Sequence, residues 1–384
     1  MRTRRTLRDP IGAPSMRGFF AAVCLALLAC PSALFSQAGL LDGVYARMYT
    51  SKGLVVARLT PDLTPLAVAS FVGLAEGTIE NAAFDLGSPF YDGSIYHRVV
   101  PGHVIQTGSA ASERSGGPGY SFPNQIHASV SHDHAGALNQ ANGGPHTNGS
   151  QFTITLGDRS YLDWDYIVFG DVVAGLDVVM SVIQGDVLDS VRIERRGAVA
   201  QAYRPDTESF QSLVRAAELR VAQDVERKAA AEEAWVRERW PELSGPVDGV
   251  RMMQVTPPSR PRGPGEEVRV RYTGERVRWM GHLLGYDGPE FEVSEFASGE
   301  DGGPGFRASA LPFPHSGGEP RINAGLDEAI AEMGVGEIRV VIVPASLGYG
   351  SGGLYLPEVP GEPRFVIGPN TLLTYTVQIG EAGS

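Results

Sequence analysis

The chain has 384 residues, 42% apolar and 20% charged, a balance that excludes bulk disorder and a membrane-embedded body and allows two to three domains. Its formal charge of −12 argues against a nucleic-acid partner, which needs a basic face. Cys24 and Cys30 are its two cysteines and share one apolar run, so the body has no internal disulfide and no thiolate metal site.

In chain order, the apolar run from Gly18 to Cys30 comes first, behind Arg17. At 13 residues it falls short of the roughly 20 of a spanning helix, and small residues follow it. That is the layout of a secretory signal peptide, assigned to residues 1–30. Leu27-Leu28-Ala29-Cys30 resembles a bacterial lipobox, in which Cys30 becomes the lipidated first residue; Ser36-Gln37-Ala38 offers a plain cleavage after Ala38. The first reading is preferred, and Met16 is an alternative start. Residues 1–29 hold five Arg and one Asp, a net +4, so the chain without them carries −16. The expectation is an exported protein, periplasmic or on the outer surface. It would touch a membrane only through a lipid on Cys30, or else be secreted in soluble form.

Residues 40–197 read as the first folded unit. Runs such as Leu54–Leu59, Gln151–Leu156 and Asp165–Val173 are strand-like and lie between Gly, Pro and Asn turns. Helical spacing of Val68, Phe71, Val72 and Ala75 predicts a helix over Pro65–Gly77, and another is predicted over Gly175–Gln184. Ser209–Arg239 contains no Gly or Pro. Thr207 or Ser209 is its expected cap and Pro241 its stop. Its apolar stripe (Phe210, Leu213, Val214, Ala217, Val221, Val225) predicts a helical linker within residues 198–247 that packs partly on a domain, with a dimerising coiled coil as the alternative. Gly/Pro-rich residues 241–265 lead into a second strand-rich unit, residues 248–382.

Three collinear stretches carry the chemistry of the first unit. They are Tyr96-His97-Arg98-Val99-Val100-Pro101-Gly102, running to Gln106; Asn142 to Phe152 (NGGPHTNGSQF); and Tyr161-Leu162-Asp163, running to Val168-Phe169-Gly170. In order and spacing this region resembles the cyclophilin family over residues 44–197. The resemblance implies a peptidyl-prolyl cis/trans isomerase. Rotation about a planar peptide bond meets a barrier of ~18–20 kcal/mol but cleaves no bond, so it needs neither nucleophile nor general base. It is helped by a donor to the prolyl nitrogen, which regains a lone pair only in the twisted state. By resemblance Arg98 is that donor. Gln106 and the backbone at Asn142 hold the substrate's carbonyl and amide, while Val104, Phe152 and Leu162 line the proline pocket. His103, Tyr161 and Tyr166 stand where the family has phenylalanine, tryptophan and histidine, and Thr153 where a second aromatic is usual. These exchanges predict weaker turnover or an altered preference beside the proline, and weak cyclosporin binding. His127, His132, His134 and His146 lack an acidic or thiol pattern and read as loop residues, with no metal.

The second unit holds Val268–Gly274, then Phe291-Glu292, then Ile322-Asn323-Ala324-Gly325-Leu326-Asp327-Glu328-Ala329-Ile330. Leu347-Gly348-Tyr349-Gly350 and Ile367–Leu373 complete the pattern. It resembles the FKBP family, which implies a second isomerase site that takes rapamycin-type macrolides. There an apolar cup favours the less dipolar twisted imide. By resemblance the cup is Tyr272, Phe291, Ile322, Leu326, Tyr349, Ile367 and Tyr375. The Ile322 amide and the Tyr349 hydroxyl hold substrate carbonyls, and Glu292 replaces the usual aspartate. The fold class expected is mainly β with α: a closed antiparallel barrel with capping helices, a helical linker, and an antiparallel half-barrel wrapped on one helix. Proline-containing polypeptides are the expected partners and no cofactor is required. A peptide-gripping chaperone with decayed pockets is the rival function.

Overall fold

A computed structural model describes residues 40–110, 116–163, 165–243, 245–263, 268–279, 286–287, 293–296, 307–313, 323–355 and 365–381. The expected signal peptide and Cys30 lie outside these residues, as do Phe291, Glu292 and Ile322.

Among the described residues, ten strands and three α-helices precede the long helix. They are β1 (Gly43–Thr50), β2 (Gly53–Leu59), α1 (Pro65–Glu76), β3 (Ser94–Ile95), β4 (Arg98–Val100), β5 (Val104–Thr107), β6 (Ile126–His127), β7 (Ala135–Gln140), β8 (Phe152–Leu156), β9 (Val168–Ala174), α2 (Leu176–Ser181), β10 (Val187–Arg196) and α3 (Ala198–Ala202). Nine strands form one antiparallel sheet in the order β3-β10-β1-β2-β9-β7-β8-β5-β4. Its two end strands are separated in the chain by only Tyr96 and His97, so the sheet curls round on itself.

Helix α1 fills part of the interior. Every residue from Leu66 to Ala75 is buried, so the helix is apolar all round, beyond the one stripe its periodicity predicts. Pro65 opens it and Gly77 closes it at φ 70, where a Cβ would lie 2.7 Å from the Ser88 backbone. Helix α2 is shorter than the predicted Gly175–Gln184, because Val182 is already extended.

The long helix α4 (Thr207–Arg239) is capped by Asp206, not by Thr207 or Ser209. The Asp206 carboxylate accepts from the Ser209 amide, and the Ser209 hydroxyl takes the Asp206 amide in return, a complete capping box. Thr207 is drawn elsewhere: its hydroxyl accepts from the Glu80 amide at 2.9 Å. Phe210 enters the first domain's core, against Tyr120 and Phe122 at 5.0 and 6.0 Å between ring centroids, and Leu213, Val214 and Ala217 pack behind it.

The second half of α4 is buried against the second domain. Asp224, Lys228, Glu232 and Val236, spaced four apart, are its inward residues. Lys228 Nζ donates to Glu232 at 2.7 Å and to the Asn370 carbonyl at 2.6 Å, and Glu232 accepts from the Leu372 amide at 3.1 Å. The helix is thus built into both domains.

The second domain has β11 (Arg251–Thr256), β12 (Val268–Trp279), β13 (Tyr286–Asp287), β14 (Val293–Phe296), β15 (Arg307–Phe313), α5 (Ala324–Glu332), β16 (Ile338–Val343), β17 (Leu354–Tyr355), β18 (Phe365–Ile367) and β19 (Leu373–Glu381). Its main sheet runs β11-β16-β19-β12-β14, with β15 also on β12. Leu326, Ala329 and Ile330 of α5 pack with Val341, Val343, Tyr375 and Val377 as its core. The expected β-rich class, with a curled sheet and a second sheet on one helix, is what the structure has.

Candidate active site

The decisive side chains of the first domain come from neighbouring strands. Arg98 faces Gln106 across β4 and β5, Gln106 faces Thr153 across β5 and β8, and Thr153 faces Asn139 across β8 and β7. Because side chains alternate along a strand, these four share one side of the sheet. Beside them lies a cavity of about 260 Å³, lined by Arg98, His103, Val104, Gln106, Asn139, Ala141, Asn142, Thr153, Leu162 and Tyr166. Arg98 Nη1 donates to Gln106 Oε1 at 3.4 Å, and Gln106 Nε2 donates to Gln151 Oε1 at 2.9 Å. Seven of the predicted residues (Arg98, His103, Val104, Gln106, Asn142, Leu162 and Tyr166) therefore border one space.

Phe152 does not. It is fully buried on the opposite side of β8, with ring centroids 5.3 Å from Phe71 and 5.7 Å from Tyr91. The period-2 alternation sends Phe152 to the core and the next residue, Thr153, to the cavity. Tyr161 stands behind the cavity wall, where its hydroxyl shares a short hydrogen bond with His103 Nε2. Asn139 was missed by sequence reasoning. Its only signal is that Leu138, its neighbour on β7, faces the core.

Asn142 holds its loop in place by donating to Asn148 at 3.3 Å and to the Asp165 carbonyl at 3.1 Å. His146 adopts φ 60, a left-handed backbone, and is pinned there by two bonds to Asn124. Its amide donates to Asn124 Oδ1, and its Nδ1 accepts from the Asn124 amide, both at 3.1 Å. Burial holds the His146 pKa below its ordinary value. A second cavity of about 400 Å³ adjoins the first, shares Gln106, Ala141 and Asn142 with it, and is bordered by Tyr120, the residue on which Phe210 of α4 packs.

The other histidines are engaged separately. His132 pairs with Asp163 at 2.7 Å, His134 lies between Asp133 and Asp171 at 2.7 and 2.9 Å, and His127 accepts from the Ser129 amide. Among the described residues no group of three His, Cys, Asp or Glu side chains could hold a metal ion, and no helix is long and apolar enough to cross a membrane.

These features match known proteins. The family model for cyclophilin type peptidyl-prolyl cis-trans isomerase matches residues 45–203. Probable peptidyl-prolyl cis-trans isomerase A of Mycobacterium leprae is 40% identical over 142 residues, 36% of this chain and 78% of that protein. Peptidyl-prolyl cis-trans isomerase A of Mycobacterium tuberculosis is 41% identical over 132 residues, 33% of this chain and 72% of that protein. The chain belongs to the cyclophilin-type peptidyl-prolyl isomerases. Among solved structures, a Cryptosporidium parvum cyclophilin-type isomerase crystallised with the dipeptide Ala-Pro covers 40% of this chain and 99% of its own, at 24% identity and a TM-score of 0.35.

This cyclophilin-type isomerase carries a second, FKBP-type domain. The FKBP-type peptidyl-prolyl cis-trans isomerase model matches residues 260–380. Five of its predicted cup residues are described. Leu326, Ile367 and Tyr375 are buried, and Tyr272 and Tyr349 pack half-buried against that cluster. The Tyr272 and Tyr375 rings meet edge to face at 5.8 Å. Asn323 caps α5 by accepting from the Leu326 amide at 2.9 Å and donates to the Tyr375 hydroxyl at 2.8 Å. Burial raises the pKa of Tyr272, Tyr349 and Tyr375, so all three stay neutral phenols.

Proposed function

We propose that each module turns proline peptide bonds independently, on polypeptides met outside the cytoplasm. The observation that carries the reading is the meeting of Arg98 and Gln106 in register at the edge of a cavity of about 260 Å³. In this reading the Arg98 guanidinium donates to the pyramidal prolyl nitrogen, an interaction absent from the planar ground state. Gln106, anchored by Gln151 and Arg98, presents its amide to the substrate carbonyl. Val104 and Leu162 shield the proline ring, the backbone at Asn142 holds the substrate amide, and the residues before proline enter the adjoining cavity. In the second module, Tyr272, Leu326, Tyr349, Ile367 and Tyr375 form a poorly hydrated cup that favours the less dipolar twisted imide. The Tyr349 hydroxyl holds a substrate carbonyl there. Export, and a lipid on Cys30, are supported by the residue pattern of Gly18–Cys30.

The test uses the full chain and proline peptides in a protease-coupled assay. Arg98→Ala and Tyr349→Ala should each leave a residual rate, and the double variant none. A double variant as fast as the parent would refute the reading. Mass spectrometry of the mature N-terminus checks the anchor.

A second reading, a peptide grip without turnover, is favoured by one feature: His103, Thr153 and Asn139 make the cavity wall polar. It predicts that the double variant still suppresses aggregation of a proline-free client.

A further inference from the structure

The side of the Arg98 cavity that carries Leu162 and Tyr166 is a turn, not a strand. Ser160–Leu162 make one tight helical turn, closed by short-range bonds. The Leu162 amide donates to the Arg159 carbonyl at 2.8 Å, the Asp163 amide to the Ser160 carbonyl at 3.1 Å, and the Tyr166 amide to the Leu162 carbonyl at 3.2 Å. Such bonds shape a turn but do not fix where it sits on the sheet. Tyr166 also borders a separate cavity of about 60 Å³, shared with His132 and Asp163. Packing alone therefore does not hold this side of the wall.

Three bonds to one distant residue tie the turn down. At its start, the His132 carbonyl accepts from the Arg159 amide at 2.6 Å. At its end, Asp163 Oδ1 accepts from the His132 amide at 2.9 Å and from His132 Nδ1 at 2.7 Å. A carboxylate offers only lone pairs, so Nδ1 carries the proton. The imidazole is fully buried whereas the Asp163 side chain is 24% exposed, so His132 is the fixed partner and the turn is what it holds. Leu162 lies between the two tied ends.

We infer that His132 is a positioning residue of the first site: through Asp163 it fixes the turn that sets Leu162 and Tyr166 against the proline ring. His132 itself touches no substrate. Leu162 meets the ring alike in its planar and twisted states. A displaced wall therefore weakens binding of both equally, which raises KM and spares kcat. Arg98 acts on the twisted state alone, and its loss has the opposite signature. The inference rests on the cavity being the proline site.

The experiment uses the full chain carrying Tyr349→Ala, which silences the second module, and a proline peptide whose isomerisation is followed by NMR exchange. His132→Leu should raise KM about tenfold, the scale of one leucine's contact with the ring, with kcat within about twofold of the parent. His132→Asn, whose side-chain N–H lies close to the place of Nδ1–H, should recover most of the loss. Asp163→Ala should give the same rise as His132→Leu, and the double variant no more than either single one, because each removes the same interaction. An unchanged KM in either single variant, additive effects, or no recovery in His132→Asn overturns the inference. Amide hydrogen exchange needs no peptide. In Asp163→Ala the Leu162 and Tyr166 amides should exchange about tenfold faster while β5 and β8 keep their protection. Protection unchanged at those two amides, or lost equally from β5 and β8, also overturns it. If the parent turns over no peptide at this site but that selective loosening appears, the isomerase reading fails while the hold of His132 on the wall stands.

Discussion

His103 Nε2 and the Tyr161 hydroxyl bond to each other at the wall of the Arg98 cavity, so two departures from the cyclophilin pattern are one paired substitution. Replacing both partners by apolar groups of similar shape is close to neutral for the fold, whereas removing one strands the other. His103→Phe with Tyr161→Phe should therefore keep the melting temperature. It should also tighten proline-peptide binding by about 1 kcal/mol, the worth of some 40 Å² of apolar contact at ~25 cal/mol/Å². Calorimetric titration of both proteins with one peptide checks this.

Arg98→Ala should lower kcat/KM at the first site by about 10²–10³, the usual cost of one donor aimed at transition-state charge. It should leave substrate affinity nearly unchanged, since the donated bond forms only in the twisted state. Background activity from the second module must be silenced with Tyr349→Ala before the measurement.

Phe210 belongs to the first domain's core although it lies on the long helix. A Phe→Ala change at such a site costs about 3–5 kcal/mol. Phe210→Ala should lower the first domain's melting transition. A fragment ending at residue 197 should melt below one ending at residue 220. Because Tyr120 packs on Phe210 and borders the second cavity, the shorter fragment should also show a raised KM.

Lys228 and Glu232 are buried together between α4 and the turn before β19. Removing one member leaves a buried charge without its counter-ion, at about 3–5 kcal/mol. Lys228→Met should thus destabilise the second domain strongly. Lys228→Met with Glu232→Gln should recover a good part of that loss, and denaturant unfolding of both variants measures the difference.

Burial depresses the pKa of His146, and its Nδ1 must be unprotonated to accept from Asn124. The depressed value means that His146 contributes stability above its unfolded pKa of about 6.5. This is lost progressively as pH falls through the folded value. The 142–148 loop should therefore loosen on acidification, and KM should rise below about pH 6.5. His146→Asn tolerates the left-handed backbone and cannot titrate, so its KM should stay flat over that range.

Much of the chemistry was legible in the chain because it is local. The Arg98–Gln106 stretch, the Asn142–Phe152 loop and the Gly325-Leu326-Asp327 helix start are short runs whose spacing survives without any tertiary knowledge. The strand alternation that puts Phe152 into the core was in principle legible too, but which of two neighbours faces the cavity depends on where the core lies.

The chain alone thus determined a cyclophilin-type and an FKBP-type module, the helix between them and most of the first cavity's rim, because these follow from periodicity and near-neighbour spacing. Only the tertiary structure decided that His103 bonds Tyr161 and that Asn139 closes the wall behind Thr153. It also decided that Lys228 and Glu232, charged residues outside the apolar stripe of the long helix, are seated against Asn370 and Leu372. Such partners lie up to 142 positions apart, and a buried polar group is defined by what meets it in space, which no local pattern records.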